Sequence, residues 1–372
     1  MLSTLRSETQ KWLTSKFDII DTFDFVKYDS NPVAFFEWCK KWNKYSFLPR
    51  QRVVILNIDT DYYARGCSIG NNTYNFFVCC AYFQLPTEFF IYFSTQEGIH
   101  IEVQAICKDL NISAPTIVTT LCVPMIATES VTDTNFDLNL IKKPFVCLNR
   151  TQRFHRLVLL AYLREHELIN KGIVSYLFNT SGAVESNNNS SFSNSTLPVI
   201  LQTTVPFTRV NDSWPVSSEL HQVIAKHTNT LHNQSQEVDN NEYFNSQLSI
   251  LKSALVYVVT ETVFNYPYPW ISEKTIKGIL TKRPMILVSS PNSIKRLQDL
   301  GFKTFGSLWD ESYDSMLNPE KRMYAIVCLI KHIANLPDLE LINLAKKAKS
   351  IVEFNFSHYR ANFINSDLRN VY

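Results

Sequence analysis

The segment WISEKTIKGILTKRPMILVSSPNSIKRLQDLGFKTF, residues 270–305, concentrates capping, acidic and basic residues in a chain with only eight glycines. Ser272 is a residue type that accepts the unpaired amide hydrogens of a first helical turn. Ile276, Ile279 and Leu280 follow at the spacing of a buried helical stripe. The free N–H groups and the positive dipole end of such a helix favour an anion, and Lys274 adds a full charge. A second strand-to-helix turn, CLNRTQRFHR, carries Arg150, Arg153 and Arg156, whose guanidinium forks can hold phosphate oxygens bidentately, with His155 among them as a further donor. Together these groups suit a nucleotide diphosphate, with Glu273 accepting hydrogen bonds from ribose hydroxyls. A plainer reading also stands: a helix start that follows the capping rules, Glu273 and Lys277 forming an exposed i,i+4 pair, and His155 a partly exposed histidine.

These side chains need strands and helices to position them. SALVYVVTET reads as a buried strand ending in Thr260-Glu261-Thr262, and PMILVSS as the next, so the region from Leu255 alternates strand and helix. In residues 142–178, Phe154, Leu157, Val158, Ala161, Tyr162 and Glu165 recur at helical spacing between two short apolar runs, a β-α-β unit whose helix Gly172 is expected to stop. Open parallel sheets bind ligands beyond the carboxyl ends of their strands, which would gather Glu261, Glu273 and Lys274 at one edge. Earlier in the chain, residues 51–59, 74–83 and 88–94 are continuously apolar and read as strands covered on both faces. PVAFFEWCKKW and GIHIEVQAICKDL read as helices.

The expected organisation is therefore an N-terminal α/β domain over 1–140 and a C-terminal Rossmann-like domain over 141–372. The Ser/Asn-rich stretch 179–198 is expected to be a mobile loop. Residues 199–250 are weakly patterned, with one helix expected around 241–252. The last two helical stretches close the chain.

Composition limits the functional classes. A chain of 372 residues, 45% hydrophobic and 19% charged, can bury two cores, and a net charge of +2 lacks the basic excess of a nonspecific nucleic-acid binder, although local basic patches remain open. No apolar run approaches the ~18 residues of a membrane span. The N-terminus has no continuous apolar core of a secretory signal, so a cytoplasmic location is expected. The eight cysteines lack zinc-knuckle spacing and are expected to be buried thiols.

The stretches VVTETVFNYPYPWISEKTIKGILTKRPMILVSS and FVCLNRTQRFHRLVLLAYL resemble the donor-binding segments of α-1,3-fucosyltransferases and phage-encoded glycosyltransferase-like proteins. Together they cover about a fifth of the chain. The resemblance implies two Rossmann-like domains facing a cleft, the GT-B plan, and metal-independent use of a GDP- or UDP-linked sugar with no other cofactor. It places Arg156 and Lys274 on the leaving diphosphate, Glu273 on the ribose and Glu261 in the sugar pocket, with a glycan as acceptor. The sequence departs from the family pattern at Thr262, where asparagine is usual, and at the strand exit SSPNS.

A transfer of this kind also needs a base for the acceptor hydroxyl. Asp59 and Asp61, past the end of a strand, are candidates, with Glu97 and Glu102 behind them. Asp59-Thr60-Asp61 equally matches the Asp-x-Asp pattern of metal-dependent GT-A transferases. A non-enzymatic binding or virion-associated module on the same fold is the remaining alternative.

Overall fold

In this computed structural model the described residues are 7–24, 32–57, 69–94, 98–120, 136–149, 153–176, 214–233, 250–362 and 369–371. They form two compact units, one on a five-stranded sheet and one on a four-stranded sheet, each flanked by helices in the Rossmann-like manner.

The first unit contains α1 (Ser7–Lys16), β1 (Asp18–Asp24), α2 (Pro32–Trp42), β2 (Gln51–Asn57), α3 (Ile69–Tyr82), β3 (Phe90–Ser94), α4 (Ile99–Asp109) and β4 (Thr116–Thr120). Strands β1 to β4 lie side by side in chain order, all parallel. Each crossover steps in the same direction, so right-handed connections put α2, α3 and α4 on one face, where α3 touches both others. The other face is taken by α1, whose Leu13 packs with Val54, Leu56, Ile91, Phe93 and Val118. On the α2–α3 face, Phe23, Ile55, Tyr92 and Ile117 form a lateral row. Phe23 meets Phe35, Trp38 and Phe76 at 5.6, 5.0 and 5.6 Å between ring centroids. Each fully buried ring of this kind contributes about 1.5–3 kcal/mol.

The run at 74–83 is helical, not a strand, and lies in α3. A short, almost wholly apolar run does not distinguish a buried strand from a buried helix by periodicity, and here the helix buries Phe76, Phe77, Val78, Cys79 and Cys80 under the sheet. Among the described residues five cysteines are buried free thiols, as expected, but Cys328 is exposed.

The second unit contains β5 (Lys143–Asn149), α5 (Phe154–Glu165), β6 (Ile173–Tyr176), α6 (Ser218–Asn233), β7 (Ala254–Thr260), α7 (Glu273–Leu280), β8 (Met285–Val288), α8 (Ser293–Asp299), α9 (Pro319–Ala334) and α10 (Asp338–Asn362). Its strand order is β6-β5-β7-β8, all parallel. The chain first steps outward from β5 to β6, then returns to the other side of β5, so the order reverses between β5 and β7. Right-handed crossovers then place α5 and α7 on opposite faces. α9 packs against α5, and α10 against α7. Covered on both sides, β7 is buried at every position, which accounts for its unbroken apolar sequence.

Helix α6, which sequence reasoning passed over within 199–250, carries Leu220, Val223 and Ile224 at helical spacing and packs against α5, with polar contacts beside that stripe. Glu165 accepts from Lys226 at 2.7 Å and His227 at 2.6 Å, and Ser217 N–H donates to Glu320 at 2.9 Å. The mobile-loop expectation at 179–198 and most of the helix expected at 241–252 lie outside the described residues. The C-terminal helices α9 and α10 close the second unit as expected, and a short strand after them, β9 (Arg369–Val371), pairs antiparallel with β4 of the first sheet.

With few glycines available, several helices end on a left-handed residue of another type. In α5, Glu167 has φ 57°, Leu168 N–H donates to Leu163 O at 2.7 Å, and Glu167 N–H to Arg164 O at 3.0 Å. This paired closure normally calls for glycine at the left-handed position. Gln84, Asn111 and Lys282 close α3, α4 and α7 in the same way, while Gly301 closes α8 with φ 85°. Gly172 is therefore not the stop of α5. It sits at the start of β6, where an added Cβ would fall 2.4 Å from the Phe145 ring. Because a side chain in the left-handed region carries strain, Glu167→Gly should stabilise the protein by about 0.5–1 kcal/mol, read as a higher urea midpoint at unchanged m-value. An unchanged or lower midpoint would show that Glu167 makes a compensating contact.

Candidate functional site

The reversal of strand order between β5 and β7 is where an open α/β sheet leaves a crevice beyond its carboxyl edge. Helices α5 and α7 both begin there. Their starts are linked through one residue, Glu261, which follows β7 and is fully buried.

From the α5 side, His155 Nε2 lies 3.0 Å from Glu261 O. Arg156 Nη2 donates to Thr260 O at 3.1 Å and to Glu261 O at 3.2 Å. From the α7 side, Ser272 N–H donates to Glu261 Oε1 at 2.9 Å and Thr275 Oγ1 donates to the same oxygen at 2.6 Å. Ser272 Oγ donates to Oε2. Ser272 also caps α7 by accepting from Lys274 N–H at 3.3 Å. The main chain of Glu261 is thus held by one helix and its side chain by the other. Both of its carboxyl oxygens have donors, as the burial of so polar a group requires.

Lys274 extends this cluster toward the surface. Its Nζ contacts Glu273 Oε1 at 2.6 Å, Thr262 Oγ1 at 3.2 Å and Ser272 Oγ at 3.3 Å, and its side chain keeps 23% exposure. Burial pushes the Glu273 carboxyl up, but the charge and hydrogen bond of Lys274 and the bonds at the helix start outweigh it and hold Glu273 below the usual range. The charge partner of Glu273 is therefore its neighbour Lys274, while Lys277, expected as an exposed partner, is buried.

Further contacts fix the surrounding loops. Thr260 Oγ1 donates to Asn149 Oδ1 at 2.8 Å, and Asn149 Nδ2 reaches Ser175 O at 3.3 Å, so the carboxyl ends of β5, β6 and β7 are joined. The His155 ring stacks on Phe264 at 5.8 Å, and Arg322 lies 4.2 Å above the same ring. Trp214 closes on Phe154 and Phe264 at 4.7 and 5.4 Å. The YPYPW loop is pinned to the β8–α8 turn by Trp270 N–H to Ser293 Oγ at 3.0 Å and Ser289 Oγ to Trp270 O at 2.9 Å. That is a stiffened loop against the core.

The residues singled out by sequence thus fall into groups. His155, Arg156, Glu261, Glu273 and Lys274 meet around one strand end. His155 is wholly buried rather than partly exposed, and Arg156 keeps 4% exposure. Arg153 stands at the N-cap of α5 in extended conformation. Arg150, Asp59, Asp61 and Glu97 lie outside the described residues. Sequence reasoning missed Asn149, Ser272 as a carboxyl partner, and Thr275. The available signal was the set of hydroxyl residues beside the buried acid, in TET and SEKT.

In the first unit, Glu102 lies in the first turn of α4, and burial pushes its carboxyl from 4.5 up to about 7. Among the described residues no group of three His, Cys, Asp or Glu side chains could hold a metal ion, and no helix is long and apolar enough to cross a membrane. No protein-family model matches the chain, and no curated protein matches it. The plan of two Rossmann-like α/β units is consistent with a generic GT-B-like architecture and does not single out the fucosyltransferases.

Two measurements check this description. Glu261→Ala leaves two hydroxyls and an amide without their acceptor, so it should destabilise the second unit by about 3 kcal/mol or more in urea unfolding. Glu273→Ala, at a partly exposed pair, should change stability by less than about 1 kcal/mol. Equal effects would contradict the division between a buried tie and a surface pair. For Glu102, the folded protein holds the proton more tightly than the unfolded chain. Stability should therefore fall as pH rises from about 4.5 through about 7, and Glu102→Gln should remove that component. A mutant curve parallel to wild type across this window would contradict it.

Proposed function

We propose that this chain is a glycosyltransferase of the GT-B kind that takes a sugar from a GDP- or UDP-linked donor and passes it to a glycan hydroxyl without a metal ion. The observation that carries the reading is the meeting of two β-α turns, with Lys274 at the partly exposed side of the polar cluster. Departure of the nucleoside diphosphate builds negative charge on its oxygens. Lys274, at the positive end of the α7 dipole, would stabilise that charge from a fixed position, which lowers the barrier because it needs little reorganisation. Arg153 at the α5 start, with Arg150, would supply guanidinium contacts.

Arg156, His155 and Glu261 take a different part from the one the family resemblance implies. Their groups are engaged with the strand end, so in this reading they hold the α5 and α7 starts in place rather than reach the donor. Glu273 is the candidate for the ribose hydroxyls. For the acceptor base, Asp59 and Asp61 remain candidates from sequence. Glu102 stands behind them as a further candidate from sequence.

A non-catalytic binding module is the second reading, supported by the extent to which protein groups satisfy one another at the β7 end. It shares the fold and the nucleotide site but lacks turnover.

Thermal unfolding with GDP, UDP, CDP and their sugar conjugates tests the proposal, since a ligand bound only by the folded state raises its stability by about 2.7 kcal/mol at a hundredfold excess over Kd. One of these ligands should raise the Tm of wild type, and Lys274→Met should weaken that ligand about tenfold or more while leaving the unliganded Tm nearly unchanged. Chelator should have no effect, whereas a chelator-sensitive activity would favour the Asp59/Asp61 metal reading. No shift with any nucleotide, or equal binding by Lys274→Met, would overturn the proposal. Binding without sugar transfer or donor hydrolysis would favour the non-catalytic module.

A further inference from the structure

The amino-terminal edge of the first sheet carries a feature that the proposed function does not use. α2 ends at this edge, and the loop that follows leads into β2. Residues 37–52 contain Lys40, Lys41, Lys44, Arg50 and Arg52 against the single acid Glu37. Five positive charges minus one give +4 in sixteen residues, while the 372-residue chain carries +2 in total. Lys40, Lys41, Lys44 and Arg50 are exposed.

Apolar groups are interleaved with these charges on a rigid base. Arg52 lies between two rings, 4.8 Å from Phe17 and 5.2 Å from Phe89. Phe89 stacks on Phe47 at 5.0 Å, and Phe47 on Trp42 at 5.7 Å. Above this ladder Tyr45 keeps 40% and Leu48 62% of its surface in solvent. Leu48 N–H is held by Gln51 Oε1 at 3.0 Å, so the loop that presents it is anchored. Exposed Leu317 and Leu339 elsewhere lack such a basic surround, and scattered single apolar residues are ordinary.

We infer that this edge is a docking surface for an anionic phospholipid bilayer, with Leu48 and Tyr45 entering the headgroup region and the surrounding lysines and arginines meeting lipid phosphates and carboxylates. Local charge complementarity is the argument for this occupant. Asp21, Glu37 and Asp18 approach Lys41, Lys40 and Arg50 at 2.8, 3.9 and 4.0 Å. The Glu37 and Asp18 pairs are solvent-exposed and weak enough to exchange for lipid anions, while Asp21, 18% exposed, holds Lys41 more firmly. A single-stranded nucleic acid would call for open aromatic faces on which bases stack. Here the rings already stack on one another, and the most exposed apolar group at the edge is aliphatic. Such binding would leave the carboxyl edge of the same sheet directed away from the bilayer.

The test is co-sedimentation of the full chain with vesicles of phosphatidylcholine alone and of phosphatidylcholine mixed with phosphatidylserine. The protein should pellet with the anionic vesicles, and salt should release it as screening shortens the reach of the lipid field. Lys44 has φ 67°, a conformation asparagine tolerates, so Lys44→Asn removes charge without adding strain. It should lower partitioning about fivefold. Leu48→Ser should lower it about tenfold or more, and Leu339→Ser, a control in the second unit, should leave it unchanged. Unchanged Tm values would show that the variants are folded. Failure to pellet, equal pelleting with neutral vesicles, or full binding by both edge variants would overturn the inference. So would loss in Lys44→Asn of single-stranded oligonucleotide binding by a protein that ignores vesicles.

Discussion

The second unit depends on the burial of one acid. Glu261 at the end of β7 has no exposure, so every acceptor it carries needs a donor from the protein. Its carbonyl is engaged by His155 and Arg156 at the start of α5, and its carboxyl by Ser272 and Thr275 at the start of α7. The two helices lie on opposite faces of the sheet, yet their first turns are fixed relative to each other through a single residue. Replacing any one donor would weaken both the strand end and the helix it anchors.

This tie explains where the cations of the candidate site stand. Arg156 is nearly buried because it belongs to the tie, and Lys274 is partly exposed because Ser272, itself part of the tie and two residues before Lys274, sets the register of α7. Glu273 and Lys274 therefore project from a fixed backbone. The proposed chemistry rests on that fixity, since a preorganised positive site favours developing charge more than a mobile one does.

Much of the second unit was legible in the sequence because its signals agree. Ser272 caps, Ile276, Ile279 and Leu280 repeat at helical spacing, Gly301 ends α8 with positive φ, and β7 is unbroken. In the first unit the helix around Phe76 was hidden because Phe76 to Phe83 is an unbroken apolar run, in which neither a helical nor a strand period can be read. Helix α6 was overlooked although Leu220, Val223 and Ile224 stand at helical spacing, because the stripe is short and the rest of the helix is polar, tied by Lys226 and His227 to Glu165. The convergence on Glu261 was half visible. Parallel topology implied that the two turns share an edge, but the sequence held no sign that the arginine would meet main-chain carbonyls. Strand order, which only tertiary contacts fix, also decided which turns became neighbours.

The central claim is that the α5 and α7 starts are energetically coupled through Glu261. A double-mutant cycle of Arg156→Met with Thr275→Val, read by urea unfolding of the full chain, tests it most directly, because the two side chains reach Glu261 from different helices. A coupling energy of about 0.5 kcal/mol or more is the expected result. Losses that add to within about 0.3 kcal/mol would mean that the two helices are held independently, and the account would fail.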